Sequence, residues 1–124
     1  MSKGNEKNFD TYHCPVEAAL DIIGGKWKVL IIWQLKGGKM RFSTLEGMLP
    51  MITPGMLTKQ LRELERDGIV SREIFAEVPL RVEYSLTNLG VTLSPVLDSL
   101  CTWGQQYMYS HGYEWKGRCK SEKI

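Results

Sequence analysis

Residues 26–36, KWKVLIIWQLK, are apolar almost all round and lie between two glycine pairs, Gly24-Gly25 and Gly37-Gly38. Such a segment predicts a short helix with protein on every side rather than an amphipathic surface helix. The rest of the chain must therefore wrap it. Upstream, Cys14-Pro15 predicts a helix start, because proline has no N–H to leave unpaired in the first turn. Val16, Ala19, Leu20 and Ile23 follow at helical spacing, and the first glycine pair ends that run.

Downstream, Met40-Arg41-Phe42 reads as a short extended piece. Ser43 with Glu46 three residues on forms a capping-box signal, which predicts a short helix over about 44–49. Pro50 to Ile52 make a turn. Thr53-Pro54 repeats the cap-then-proline signal and predicts a longer helix to about Arg66, stopped by Asp67-Gly68. Ile69–Glu77 and Val82–Leu86 suit two strands joined through Val78-Pro79-Leu80-Arg81, a hairpin with a protruding tip. Thr87 caps a last helical region to about Ser110, with a kink or break expected at Pro95.

This order predicts a mainly helical α+β fold: a winged helix-turn-helix with a two-stranded wing and terminal dimerisation helices. Its boundaries read as a mobile N-terminal arm at 1–12, the domain with its dimerisation helices at 13–110, and a C-terminal tail at 111–124. The physical logic of the arrangement is that the second helix of the pair enters the major groove of DNA while the first braces it. The wing lies alongside, within reach of phosphates or the minor groove.

A helical wheel tests the segment from Thr53. Leu57, Leu61 and Leu64 form one stripe and should face the core. Gly55, Thr58, Lys59, Arg62 and Arg66 fall roughly opposite, with Glu63 and Glu65 toward the sides. Lys59 and Arg62 suit guanine edges or phosphates, and Thr58 suits a base or a phosphate. A solvated helix face would look similar. Arg81 at the hairpin tip suits a narrow minor groove. Lys39 and Arg41, ahead of the helix-turn-helix, suit phosphates. The net charge of +2 is too small to argue for nucleic acid by itself.

Cys14, Cys101 and Cys119 are odd in number and not spaced as a zinc site. The start, MSKGNEKNFD, has no apolar signal region, and no apolar run is long enough to span a bilayer. The expected setting is soluble, reducing and cytoplasmic. Cys14 at a helix start should meet unpaired N–H groups that favour a thiolate. Cys101 reads as a core residue, and no disulfide pairing can be chosen. His13 and His111 are the two histidines, and neither a metal-ligand cluster nor a phosphate-binding glycine loop accompanies them. No catalytic residue, metal or cofactor is therefore expected, and the chain does not read as an enzyme.

Taken together, Cys14-Pro15-Val16, GGKWKVLIIWQL at 24–35, Arg41-Phe42-Ser43, LTKQLRELERDGIV at 57–70, VPLRVEYSLTNLG at 78–90 and PVLDSLCTWG at 95–104 resemble the HxlR-type winged-helix regulators, distant relatives of the MarR type. The resemblance spans roughly residues 13–108. It implies a DNA-binding dimer with its recognition helix at 53–67 and its wing at about 71–85. The expected DNA-contacting set is Lys39, Arg41, Ser43, Thr53, Gly55, Thr58, Lys59, Arg62 and Arg81, on a double-stranded operator. Some members of the resembled family use a cysteine at the place of Cys14 to sense oxidants or electrophiles.

Leu93, Leu97, Leu100, Gly104 and Tyr107 are spaced as a heptad-like seam, which suits pairing with a second copy. Packing on the chain's own domain is the plainer alternative. Two other readings stay open. One is a dimer that responds to a small molecule held among Trp27, Trp33, Trp103, Tyr107 and Met108. The other is a winged helix used for protein–protein contact.

Overall fold

The structure, a computed structural model, describes residues 12–114. The arm before Tyr12, Cys119 and the tail beyond Glu114 lie outside the described residues. The element order is α1 (Pro15–Ile23), α2 (Lys28–Leu35), β1 (Met40–Arg41), α3 (Phe42–Met48), α4 (Pro54–Arg66), β2 (Val70–Phe75), β3 (Arg81–Leu86), α5 (Asn88–Val91) and α6 (Ser94–Ser110). The sheet is antiparallel with strand order β1-β3-β2, so the hairpin β2–β3 is the wing and β1 closes its inner edge.

Helix α2 is central, as its composition requires. Ile31, Ile32 and Leu35 are buried, and they meet Leu45 and Leu49 of α3, Ile52 of the turn, Leu57, Leu61 and Leu64 of α4, and Ile69 and Val70 entering the wing. The end of α4 is sharp. Gly68 takes a positive φ of 80°, the Ile69 N–H donates to the Leu64 carbonyl, and the Gly68 N–H donates to the Glu65 carbonyl. These are the paired bonds of a Schellman stop. Thr87 then ties the far end of the wing to this stop. Its hydroxyl donates to the Gly68 carbonyl at 2.6 Å and accepts from the Gly90 N–H at 3.0 Å. A Cβ on Gly90 would stand 2.3 Å from the Ile69 carbonyl oxygen, so this crossing admits no side chain.

Two local readings of the sequence are corrected, those of Ser43 and Tyr12, and one is sharpened. Helix α3 starts at Phe42, with Arg41 as its N-cap and no side-chain cap bond, so Ser43 lies inside the first turn and the Ser43–Glu46 capping box does not form. The reason is non-local: Met40 and Arg41 pair with Tyr84 and Glu83 of β3, which fixes where the chain leaves the sheet. Of the kink or break expected at Pro95, the break is present just ahead of it. A separate α5 ends at Val91, and Pro95 sits in the first turn of α6. Tyr12, assigned to a mobile arm, instead donates its hydroxyl to Asp21 of α1 at 2.5 Å. That bond and the nearby carboxylate push the Tyr12 phenol up to about 12.

The seam on α6 divides between two surroundings. Leu97 is 3 % exposed and belongs to the chain's own core, and Leu93 packs partly against it. Leu97 is therefore not available to a second copy. Leu100 and Tyr107 are exposed, Gly104 is partly so, and Trp103 is 64 % exposed beside them. Trp103, Tyr107 and His111 stack in a ladder with ring centroids 5.5 and 4.1 Å apart. On α1, Val16 and Leu20 are also exposed.

Candidate nucleic-acid interface

The geometry of α4 follows from its leucines. Leu57, Leu61 and Leu64 are fully buried, so the opposite side of the helix faces out. Gly55, Lys59, Arg62 and Arg66 are exposed there, and Thr58 is half-buried. Thr53 is the N-cap, and its hydroxyl oxygen accepts from the Met56 N–H at 3.2 Å, so its side chain already serves the helix. Ahead of α4, Lys39, Arg41 and Ser43 are all exposed. Arg41 makes no ion pair among the described residues, whereas Lys39 lies 3.6 Å from the Glu73 carboxylate of the wing.

Electrostatics on α4 centre on Glu63. Lys59 Nζ donates to Glu63 Oε2 at 2.9 Å, and Lys28 Nζ, from the start of α2, lies 2.6 Å from Glu63 Oε1. Hydrogen bonds from Lys28 first and Lys59 second hold the Glu63 carboxyl at about 2, well below the usual carboxylate range. Arg62 makes no ion pair among the described residues. It lines a small hollow with Thr58, Glu65, Arg72 and Tyr84, where α4 meets the wing. Arg72 Nε stands 3.4 Å from Glu65 and links the two elements. Burial pushes the Tyr84 phenol up, with Arg72 and Arg62 pulling the other way.

The wing differs from its expected role. Arg81 is not a free tip residue. It opens β3 opposite Phe75, its guanidinium lies 3.8 Å from the centre of the Phe75 ring, and it reaches Glu77 at 2.7 Å and Glu83 at 2.5 Å. Its side chain is 23 % exposed. An Arg held by two carboxylates and an aromatic face is a brace for the hairpin. The residues that protrude are Val78, fully exposed, and Leu80.

Sequence reasoning missed Arg72, Tyr84 and the buried partner Lys28. Arg72 and Tyr84 face each other in the β2–β3 register, which an explicit pairing of the hairpin reveals. Lys28 gave no separate signal, because a lysine at the end of an apolar helix reads as a solvated end.

Cys14 is exposed at the N-cap of α1, with extended backbone and no side-chain cap bond. Its carbonyl accepts from the Glu17 and Ala18 N–H groups. Cys101 is half-buried and accepts from the Gln105 side-chain amide at 3.3 Å, so it borders the core rather than filling it. Of the five residues suggested for a small-molecule pocket, Trp103 and Tyr107 stack on each other. Lys26 covers Trp27, Lys36 covers Trp33, and Trp103 borders a hollow with Asp98, Ser99, Thr102 and Gln106. An apolar groove lies elsewhere, lined by Ala18, Ala19, Ile22 and Ile23 of α1 with Ile69, Leu89, Thr92 and Leu93. Among the described residues, no group of histidine, cysteine and acidic side chains is placed to hold a metal ion, and no helix is long and apolar enough to cross a membrane.

Comparison with known proteins adds to this geometry. The model of the HxlR-like helix-turn-helix family matches residues 22–112. An uncharacterized HTH-type transcriptional regulator of Methanothermobacter thermautotrophicus is 51 % identical over 104 residues, covering 84 % of this chain and 79 % of that protein. YdeP of Bacillus subtilis, described in the same terms, is 54 % identical over 94 residues, covering 76 % and 73 %. Among solved structures, the redox regulator HypR in its oxidized form is similar at 52 % identity and a TM-score of 0.72, covering 75 % of this chain and all but a few per cent (96 %) of that one. Diamide-treated YodB from B. subtilis is similar at 38 % identity and a TM-score of 0.64, covering 76 % and 94 %.

Proposed function

The chain belongs to the HxlR-like helix-turn-helix family of transcriptional regulators, and from that premise we propose that it binds operator DNA as a homodimer, with Cys14 as its redox- or electrophile-sensitive switch. The observation that carries the DNA reading is the division of α4 into a buried leucine stripe and an outward stripe of Gly55, Thr58, Lys59 and Arg62. In a dimer, two such helices would enter successive major grooves about one helical turn apart. Arg41, Ser43 and Lys39 would hold the flanking phosphates, and Thr53 would contribute its backbone end of the helix. The domain would take in residues 13–110, both outer helices included.

Dimerisation draws on the apolar side chains that the single chain leaves in water. Leu100, Trp103 and Tyr107 of α6, together with Val16 and Leu20 of α1, form surfaces of the kind that pairing buries. Gly104 allows close approach between them. The switch reading draws on the exposure of Cys14 beside these same α1 residues, so that a group attached to its sulfur would meet a second copy. It also draws on HypR and YodB, solved in forms named as oxidized or diamide-treated and as reduced.

The test is selection of bound genomic fragments by purified protein, reduced and after diamide or quinone treatment. The expected result is a small set of fragments sharing two half-sites, with retention altered by treatment of the parent and not of Cys14→Ser. Fragments retained without a shared sequence would refute operator recognition. A Cys14→Ser variant as responsive as the parent would remove Cys14 from the switch.

A further inference from the structure

Glu63 is the residue on α4 that runs against a DNA-facing helix. It lies one turn from Lys59, and its negative charge repels phosphate. Yet both of its oxygens are taken: Oε1 by Lys28 at 2.6 Å and Oε2 by Lys59 at 2.9 Å. The three side chains form a path from core to surface, 9 % exposed at Lys28, 24 % at Glu63 and 62 % at Lys59. Lys28 is the first residue of a mostly apolar central helix, and Glu63 is its one ion-pair partner among the described residues. A buried ammonium without such a partner would be strongly unfavourable.

This arrangement settles what happens when Lys59 leaves for a phosphate. Without a second cation, Glu63 would be stranded as an anion beside DNA and would compete to keep Lys59. Lys28 supplies that cation from below, where screening by water is weaker than at the surface. We infer that Lys28 is the buried counter-charge that holds Glu63 and thereby frees Lys59 to bind phosphate, a positioning residue of the interface that itself touches no DNA. The inference rests on the DNA reading of α4.

The test is titration of mixed-sequence duplex DNA across a salt series, with thermal unfolding of each variant alongside. Each phosphate contact contributes about 0.9 to the slope of log affinity against log salt. Lys59→Met is expected to make the slope shallower by about one. Lys28→Met, which leaves Glu63 with Lys59 alone, is expected to do the same and to weaken binding about tenfold at moderate salt. Lys28→Arg and the double variant Lys28→Met/Glu63→Gln are expected to keep the parent slope. If Lys28→Met does not fold, Lys28→Gln, which loses the charge but keeps a donor, carries the same expectation. A Lys28 variant that unfolds at lower temperature but keeps the parent slope would overturn the inference while leaving the DNA reading intact. An unchanged slope in Lys59→Met would instead remove the phosphate contact on α4, and the inference would fall with it.

Discussion

The outward face of α4 and the tip of the wing both carry arginine, and they treat it in opposite ways. On α4, Arg62 points to solvent because three leucines one face away are locked into the core. On the wing, Arg81 is folded back between Glu77 and Glu83 over the Phe75 ring, and apolar Val78 and Leu80 take the protruding positions. A helix anchored along one stripe determines where its other side chains point. A hairpin two strands wide does not, and the direction of its charges depends on which carboxylates lie beside them in the same strand and its connection. Basic residues of equal promise in sequence thus become a contact candidate in one place and a brace in the other.

Breaking the anchor should have the largest effect. Leu61→Ala removes a fully buried side chain shared by α4 and the core, and about 3 kcal/mol of stability should be lost, read by denaturant unfolding. Next comes the pair beneath α4. Glu63→Gln leaves Lys28 buried without a counter-charge and should cost about 2 kcal/mol at neutral pH. The sign with pH is defined. The Glu63 carboxyl sits at about 2 in the folded chain against an ordinary 4.5, so its contribution is complete above pH 4.5 and is lost as pH falls toward 2. The stability gap between parent and Glu63→Gln should therefore close across that window, and a gap that widened on acidification would contradict the pairing.

Smaller effects sharpen the contrast itself. Arg62→Ala should weaken duplex binding about tenfold with little change in unfolding temperature, since the side chain makes no ion pair among the described residues. Arg81→Ala should do the reverse, costing about 1 kcal/mol through the loss of its two carboxylate bonds and ring contact while changing duplex affinity less than about threefold. If Arg81→Ala proved the more damaging of the two in a DNA titration, the wing tip would rearrange on binding and the distinction drawn here would fail.

How much of this the sequence disclosed follows the range of the interactions concerned. The stripe Leu57, Leu61 and Leu64, the Thr53-Pro54 start and the Gly68 stop are local patterns, and they placed α4 to the residue. The central position of α2 followed from its composition. Ser43 misled because the start of α3 is set by β1 pairing with β3, a contact between residues far apart in sequence. Pro95 marked the break between α5 and α6, which falls just ahead of it because proline suits the first turn of a helix. The Arg81 carboxylates, Glu77 and Glu83, lie four and two residues away and were open to a local reading. Leu97 and Lys28, by contrast, each depended on a partner in another element, and spacing along one segment carries no information about that. The seam on α6 was half legible for the same reason: its periodicity is real, but Leu97 serves the chain's own core and Trp103 stands outward in its place.

The most direct measurement is the titration of duplex DNA, drawn from the selected genomic fragments, into isotopically labelled protein with the backbone amides followed by NMR. The largest shifts are expected at Gly55, Thr58, Lys59 and Arg62, with smaller ones at Arg41 and Ser43. Shifts confined to the wing tip around Val78 and Leu80, or to α1 and α6, with α4 unmoved, would contradict the DNA reading of α4.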